Sequence, residues 1–221
     1  MIKSFLILTT FTISFLYAKQ IVLVVADDIN STTAKLECYE DGKQIFSDIK
    51  VNLGKNGLGW GVDTKSLPHN NDSIKKYEGD KRAPLGVFEL TDIFGYSYKS
   101  NYKMPYLHTS QNLICVDDSN SLFYNTIIES NKNEKSFEYM KRDDELYKLG
   151  IVVGYNQNRV KQRGSCIFLH IQRGDSIPTV GCTSMSYQNL KKIAKWLDKT
   201  KHPMLIQITK EQLGYVEDMI K

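Results

Sequence analysis

The sequence predicts a mainly β domain, a sandwich or partly open barrel with two or three helices at its periphery. Three observations carry this. About eight short runs have strand character, and only two or three segments have helical spacing. The strands also do not alternate with helices, as a parallel doubly wound sheet requires.

The elements follow in order. Residues 21–25 are β-branched and apolar, hence a buried strand. Residues 34–40 and 43–47 flank Asp41-Gly42, a two-residue hairpin signal. Residues 50–53 continue as a strand and stop at Gly54, where a glycine-rich stretch begins (Gly54, Gly57, Gly59, Gly61). A phosphate-cradling loop also uses glycines, but it runs straight into a helix with a Lys-Ser/Thr ending. Here Val62-Asp63-Thr64 follows, with Pro68 soon after, so a tight loop packing Trp60 is the better reading.

Ala83-Pro84-Leu85-Gly86 is a turn leading into a strand at 87–90. Residues 113–116 make another strand, ending at Asp117-Asp118. Adjacent strand side chains point to opposite faces, so this acid pair reads as a turn or Asx cap rather than a metal site. In 137–149, Phe137, Met140, Leu146 and Leu149 lie near helical spacing, with Ser136 before them and Gly150 after, which predicts a helix. Residues 151–154 and 166–171 are the most β-like runs of the C-terminal half. Ser186 caps a second helix carrying Leu190, Ile193, Ala194 and Leu197 on one face. After Pro203 comes a strand at 204–208, and Thr209 with Gln212 forms a capping box for a short terminal helix.

Composition bounds the function. Lys3 and the apolar run from Ser4 to Leu16 read as a secretory signal peptide over residues 1–18, too short for a membrane span, with Ala18 at the cut. Leu16 is larger than such a cut prefers, which leaves a retained anchor open. The remaining residues, about 200, suit one domain, 19–221. The net charge of +4 falls to +3 without Lys3, too little to argue for nucleic acid. An exported protein of the periplasm or cell envelope is expected, with no later membrane span and an oligomeric state left open.

The four cysteines are Cys38, Cys115, Cys166 and Cys182, with no CxxC pair, so a structural zinc site is not expected. A Cys38–Cys115 bridge is an open alternative in an exported chain. Cys166 lies in an apolar run and reads as a buried inert thiol. Cys182 alone has loop-like surroundings. It follows Gly181, and His170 ends the preceding strand.

A thiol beside a neutral imidazole is a nucleophile–base pair, and a thiolate–imidazolium state would hold the thiol pKa down. Gly181 lets the backbone pass close to a substrate, amides near Cys182 are candidates for an oxyanion hole, and Thr179 is placed to orient the loop. A lone Cys with a lone His is more often structural, so spacing does not decide the matter.

The neighbouring residues are more specific. Thr179-Val180-Gly181-Cys182 resembles the Ser/Thr-x-Gly-Cys signature of the YkuD-type L,D-transpeptidases (the ErfK/YbiS/YcfS/YnhG-like family), and His170 stands where that family's histidine stands. Gly54 to Gly61, Glu78 to Phe88, Cys115 to Asp118, Tyr124-Asn125 and Gly164 to His170 resemble the family's blocks in order. The resemblance implies a mainly β catalytic domain acting on peptidoglycan stem peptides, without metal or organic cofactor. It implies Cys182 as nucleophile, His170 as base and then acid, and a backbone carbonyl orienting the imidazole. Transfer to an amine gives a 3→3 cross-link, and transfer to water gives an L,D-carboxypeptidase.

Where many members have Arg or Asn after the cysteine, this chain has Thr183-Ser184. Thr183 is retained as loop support, and Arg173 or Arg163 is the expected cation for a substrate carboxylate. A non-catalytic envelope-binding protein on the same fold is the rival class. The papain order, Cys before His, is reversed here.

Overall fold

A β-branched run forms β1 (Gln20–Ala26), buried along nearly its whole length. Antiparallel β2 (Thr33–Glu40) covers one edge of it. Asp41 and Gly42 both take positive φ, 48° and 77°, the twist a two-residue hairpin needs before β3 (Lys43–Asn52). The computed structural model describes residues 20–62, 67–69, 73–130 and 133–221. The expected leader at 1–18 and the pair Asp63-Thr64 lie outside them.

The glycine-rich stretch carries β4 (Leu58–Trp60), parallel to the start of β5 (Ala83–Gly95). It does pack Trp60, which is buried and stacks on His69 at 4.7 Å. Then come β6 (Tyr106–His108), β7 (Leu113–Val116), β8 (Ile127–Glu129), β9 (Phe137–Tyr139), β10 (Leu149–Val153), β11 (Phe168–Ile171) and β12 (Thr183–Met185). Helix α1 (Tyr187–Trp196) is N-capped by Ser186, which accepts from Asn189 N at 3.3 Å, and it buries Leu190, Ile193 and Ala194. The last strand, β13 (Met204–Thr209), leads through the Thr209–Gln212 capping box into a 3-10 turn and α2 (Glu217–Ile220).

The ring runs β10-β11-β12-β3-β2-β1-β13-β5, and β5 pairs back onto β10, so it closes as a barrel. The sequence left a sandwich or a partly open barrel as the choice; the long β5 decides it by reaching both β13 and β10. A small second sheet, β8-β7-β9, lies beside the ring. The main core gathers Val22, Leu36, Val51, Leu85, Leu205 and Ile206 with the apolar face of α1. A second core holds Phe94, Leu113, Cys115, Met140, Tyr147, Cys166, Phe168 and Cys182. Burying each large side chain contributes roughly 1.5–3 kcal/mol. Such burial explains why the candidate nucleophile sits on a rigid support.

Three local expectations are overturned. Ala83-Pro84-Leu85-Gly86 is not a turn but the start of β5, paired with β4 and β13. The segment 137–149 is not a helix: Phe137–Tyr139 pairs with β7 as a strand, and Leu149 already belongs to β10. The intervening loop is held by Arg142 on Asp144 at 2.6 Å and by positive φ at Glu145, and Met140 and Tyr147 reach the second core through tertiary packing. Cross-strand partners outweigh a weak helical spacing here. Cys166 is not an inert thiol in a strand. It has φ +54°, precedes β11, and forms a disulfide with Cys115. The alternative partner, Cys38, is a buried free thiol.

Candidate active site

The parallel pairing of β11 with β12 sets the geometry. Its register places Leu169 opposite Thr183 and His170 opposite Ser184, so Cys182 falls beside Phe168. Side chains alternate along a strand. Phe168, His170 and Cys182 therefore share one face, and Leu169 and Thr183 share the other. The Thr183 hydroxyl bonds Gln207 Oε1 at 2.6 Å in the barrel interior, away from the thiol's surroundings. This bond ties β12 to β13.

The loop before Cys182 is pinned at both ends. Thr179 N donates to Leu53 O at 2.8 Å, and Lys55 N donates to Thr179 O at 2.9 Å. The glycine-rich stretch thus grips the nucleophile loop. Thr179 Oγ1 accepts from Gly181 N at 3.1 Å and donates to the Cys182 carbonyl at 2.6 Å. Gly181 has φ +150°, and a Cβ there would press on Arg82 O at 3.3 Å.

The thiol is buried. Cys182 Sγ accepts from Phe168 N at 3.4 Å and faces Cys166 O at 3.5 Å. Cys166 N in turn donates to Asn125 Oδ1 at 2.9 Å, and Asn125 Nδ2 donates to the carbonyls of Tyr155 and Asn156. Tyr124 and Ser165 both donate to Glu78 Oε2, at 2.6 and 2.7 Å. Blocks far apart in the chain therefore interlock around Cys166, whose carbonyl faces the sulfur.

His170 Nδ1 lies 2.8 Å from Ile171 O. A carbonyl only accepts, so Nδ1 carries the proton and Nε2 presents a lone pair. The ring meets Tyr147 edge-on at 5.3 Å, and Tyr147 donates to Glu138 at 2.6 Å. Burial pushes the His170 imidazole down to about 4 and the Cys182 thiol up to about 12. Burial thus favours the neutral form of both groups over a thiolate–imidazolium pair. Glu138 is also raised, by burial first.

The two expected cations differ. Arg163 is committed to backbone: it donates to Lys76 O at 2.8 Å and Trp60 O at 3.4 Å and lies over the Tyr77 ring. Arg173 is exposed, pairs with Asp144 at 3.5 Å, and lines a surface cavity of about 350 Å³ that also touches Ile171. A buried cation that the sequence reading missed, Lys76, packs against Gly164 and Gly181. Tyr147 was missed as well, because it fell inside the expected helix. The sequence signal available for Lys76 was its i, i+4 spacing to Asp80.

The model of the YkuD family, the L,D-transpeptidase catalytic domain, matches residues 24–206. The chain belongs to this family of L,D-transpeptidase catalytic domains. Searches of curated proteins and of solved structures gave no match. The match takes in every strand from β2 to β12, the last three residues of β1 and the first three of β13. Among the described residues, no group of three or more His, Cys, Asp or Glu side chains is placed to hold a metal. No helix among them is long and apolar enough to cross a membrane.

Proposed function

We propose that this L,D-transpeptidase domain acts on peptidoglycan stem peptides, with Cys182 as nucleophile and His170 as general base. The observation that carries the reading is the tautomer of His170: its Nδ1–H is tied to Ile171 O, and its Nε2 lone pair lies on the sheet face that holds the thiol.

The chemistry follows from neutral partners. Nε2 takes the thiol proton as Sγ bonds to the carbonyl carbon of the third stem residue, and an electron pair moves onto the carbonyl oxygen. The pair returns as the C–N bond breaks, and the proton on Nε2 passes to the leaving D-alanine amine, which leaves a thioester. An amine of a second stem then attacks the thioester. Its proton passes by way of Nε2 to the departing sulfur, and the product is a 3→3 cross-link.

Proton transfer in flight suits the burial, since a standing ion pair would have to be solvated in an apolar core. Gly181 and Thr179 shape the elbow that presents amides near Cys182 to the oxyanion. Arg173, at the rim of its cavity, is the cation proposed to meet a substrate carboxylate. The Cys115–Cys166 disulfide supports an exported protein, because such bonds persist in oxidising compartments.

The test is incubation of the purified protein with tetrapeptide muropeptides, followed by mass spectrometry. Cross-linked dimers that vanish with Cys182→Ser support the proposal. Tripeptides alone would make the acceptor water, the carboxypeptidase reaction. Neither product, with wall composition unchanged by Cys182→Ser, would leave a non-catalytic envelope-binding protein.

A further inference from the structure

Among the described residues, Lys76 is the buried lysine. Its side chain is only 4% exposed, yet it ends in an ammonium. Nζ donates to Asp80 Oδ1 at 2.6 Å and to the Tyr77 carbonyl at 2.7 Å. Asp80 is itself occupied by the backbone amides of Tyr77 and Arg82. The ammonium packs against two glycines of the site. A Cβ on Gly164 would stand 3.3 Å from Nζ, and one on Gly181 would stand 3.9 Å away. One of these glycines leads to the disulfide-bonded Cys166 behind the thiol, and the other immediately precedes Cys182.

We propose that Lys76 is a positioning residue that supplies the positive field for the charge developing at Cys182, first on the sulfur and then on the oxyanion of the tetrahedral intermediate. The inference rests on Cys182 being the nucleophile of the proposed reaction. It places the helpful cation in the block at residues 76–82, upstream of the sequence after the cysteine, where Thr183-Ser184 supplies none. A fixed, buried charge needs little reorganisation as the reaction proceeds. The field of Lys76 opposes the effect of burial on the thiol. Glycine at 164 and at 181 keeps side-chain atoms out from between the ammonium and the site.

The experiment reads the thiol directly and does not depend on turnover. Rates of Cys182 alkylation by iodoacetamide at pH 8.5 are followed by peptide mass spectrometry in a Cys38→Ser background. Lys76→Met should slow alkylation by about three- to ten-fold, and Lys76→Arg should restore most of it, because removing one nearby charge lowers the thiolate fraction. The double variant Lys76→Met with Asp80→Asn avoids an unpaired carboxylate and should also react more slowly than the parent if Lys76→Met alone does not fold.

An alkylation rate within two-fold of the parent in a folded variant would overturn the proposal and leave Lys76 as a brace of the turn. If no muropeptide product forms even in the parent, the transpeptidase reading fails, while the alkylation result still stands or falls by itself.

Discussion

The Thr179 hydroxyl donates to the carbonyl of Cys182 at 2.6 Å and accepts from the amide of Gly181, closing a three-residue clasp around the nucleophile. Thr179→Val removes the hydroxyl and keeps the shape. It should cost about 1–2 kcal/mol of stability, measured by urea unfolding. Turnover should fall at least about ten-fold, because the elbow no longer holds its geometry. Thr179→Ser should retain most of both. A Val variant with parental turnover would show that the clasp is irrelevant to the chemistry.

The pH dependence of stability tests the neutral imidazole. His170 has its folded pKa depressed to about 4 from 6.5, so between these values the unfolded chain binds more protons than the folded one. Its contribution is complete above about pH 6.5 and is lost as pH falls toward 4, to the extent of roughly 3 kcal/mol. Urea midpoints measured from pH 7 to pH 4 should fall more steeply for the parent than for His170→Gln. Parallel curves would mean that the ring is not held neutral.

The thiol tests the same picture from the other side. With Cys182 pushed up to about 12, its alkylation rate should climb about ten-fold per pH unit from pH 7 to 9 without levelling. A plateau in that range would instead reveal a standing thiolate–imidazolium pair.

The Cys115–Cys166 disulfide closes a sequence separation of 51 residues and anchors the carbonyl that faces Cys182 Sγ. The joint substitution Cys115→Ser with Cys166→Ser should destabilise by about 2–4 kcal/mol, with a lower Tm by calorimetry. It should also lower turnover, since the support behind the sulfur loosens. Unchanged Tm and activity would make the bond incidental.

Much of the scaffold was legible from local pattern. The run at 21–25, the Asp41-Gly42 hairpin, the strands at 113–116 and 204–208, and the Ser186-capped helix all appear, because each satisfies itself within a short window. Strands of three residues such as β4, β6, β8 and β9 did not announce themselves, since so short a strand exists only by its partner's hydrogen bonds. The segment 137–149 failed for the same reason. At the site, Cys182, His170 and Thr179 were legible as chemistry-bearing residue types within a recognisable motif. Asn125 and Glu78 stood in recognisable blocks without a readable task, and Lys76 and Tyr147 were not singled out.

The sequence by itself determined a mainly β domain of the L,D-transpeptidase family and the Gly181-Cys182 and His170 elements, because these depend on residue type and local order. Tertiary structure alone decided that the barrel closes through β5 and β10, that Cys115 pairs with Cys166, and that Lys76 packs against Gly181. It also decided the burial that disfavours the charged forms of thiol and imidazole. Pairing partners, burial and electric fields are set by neighbours that are distant along the chain, and no local window contains them.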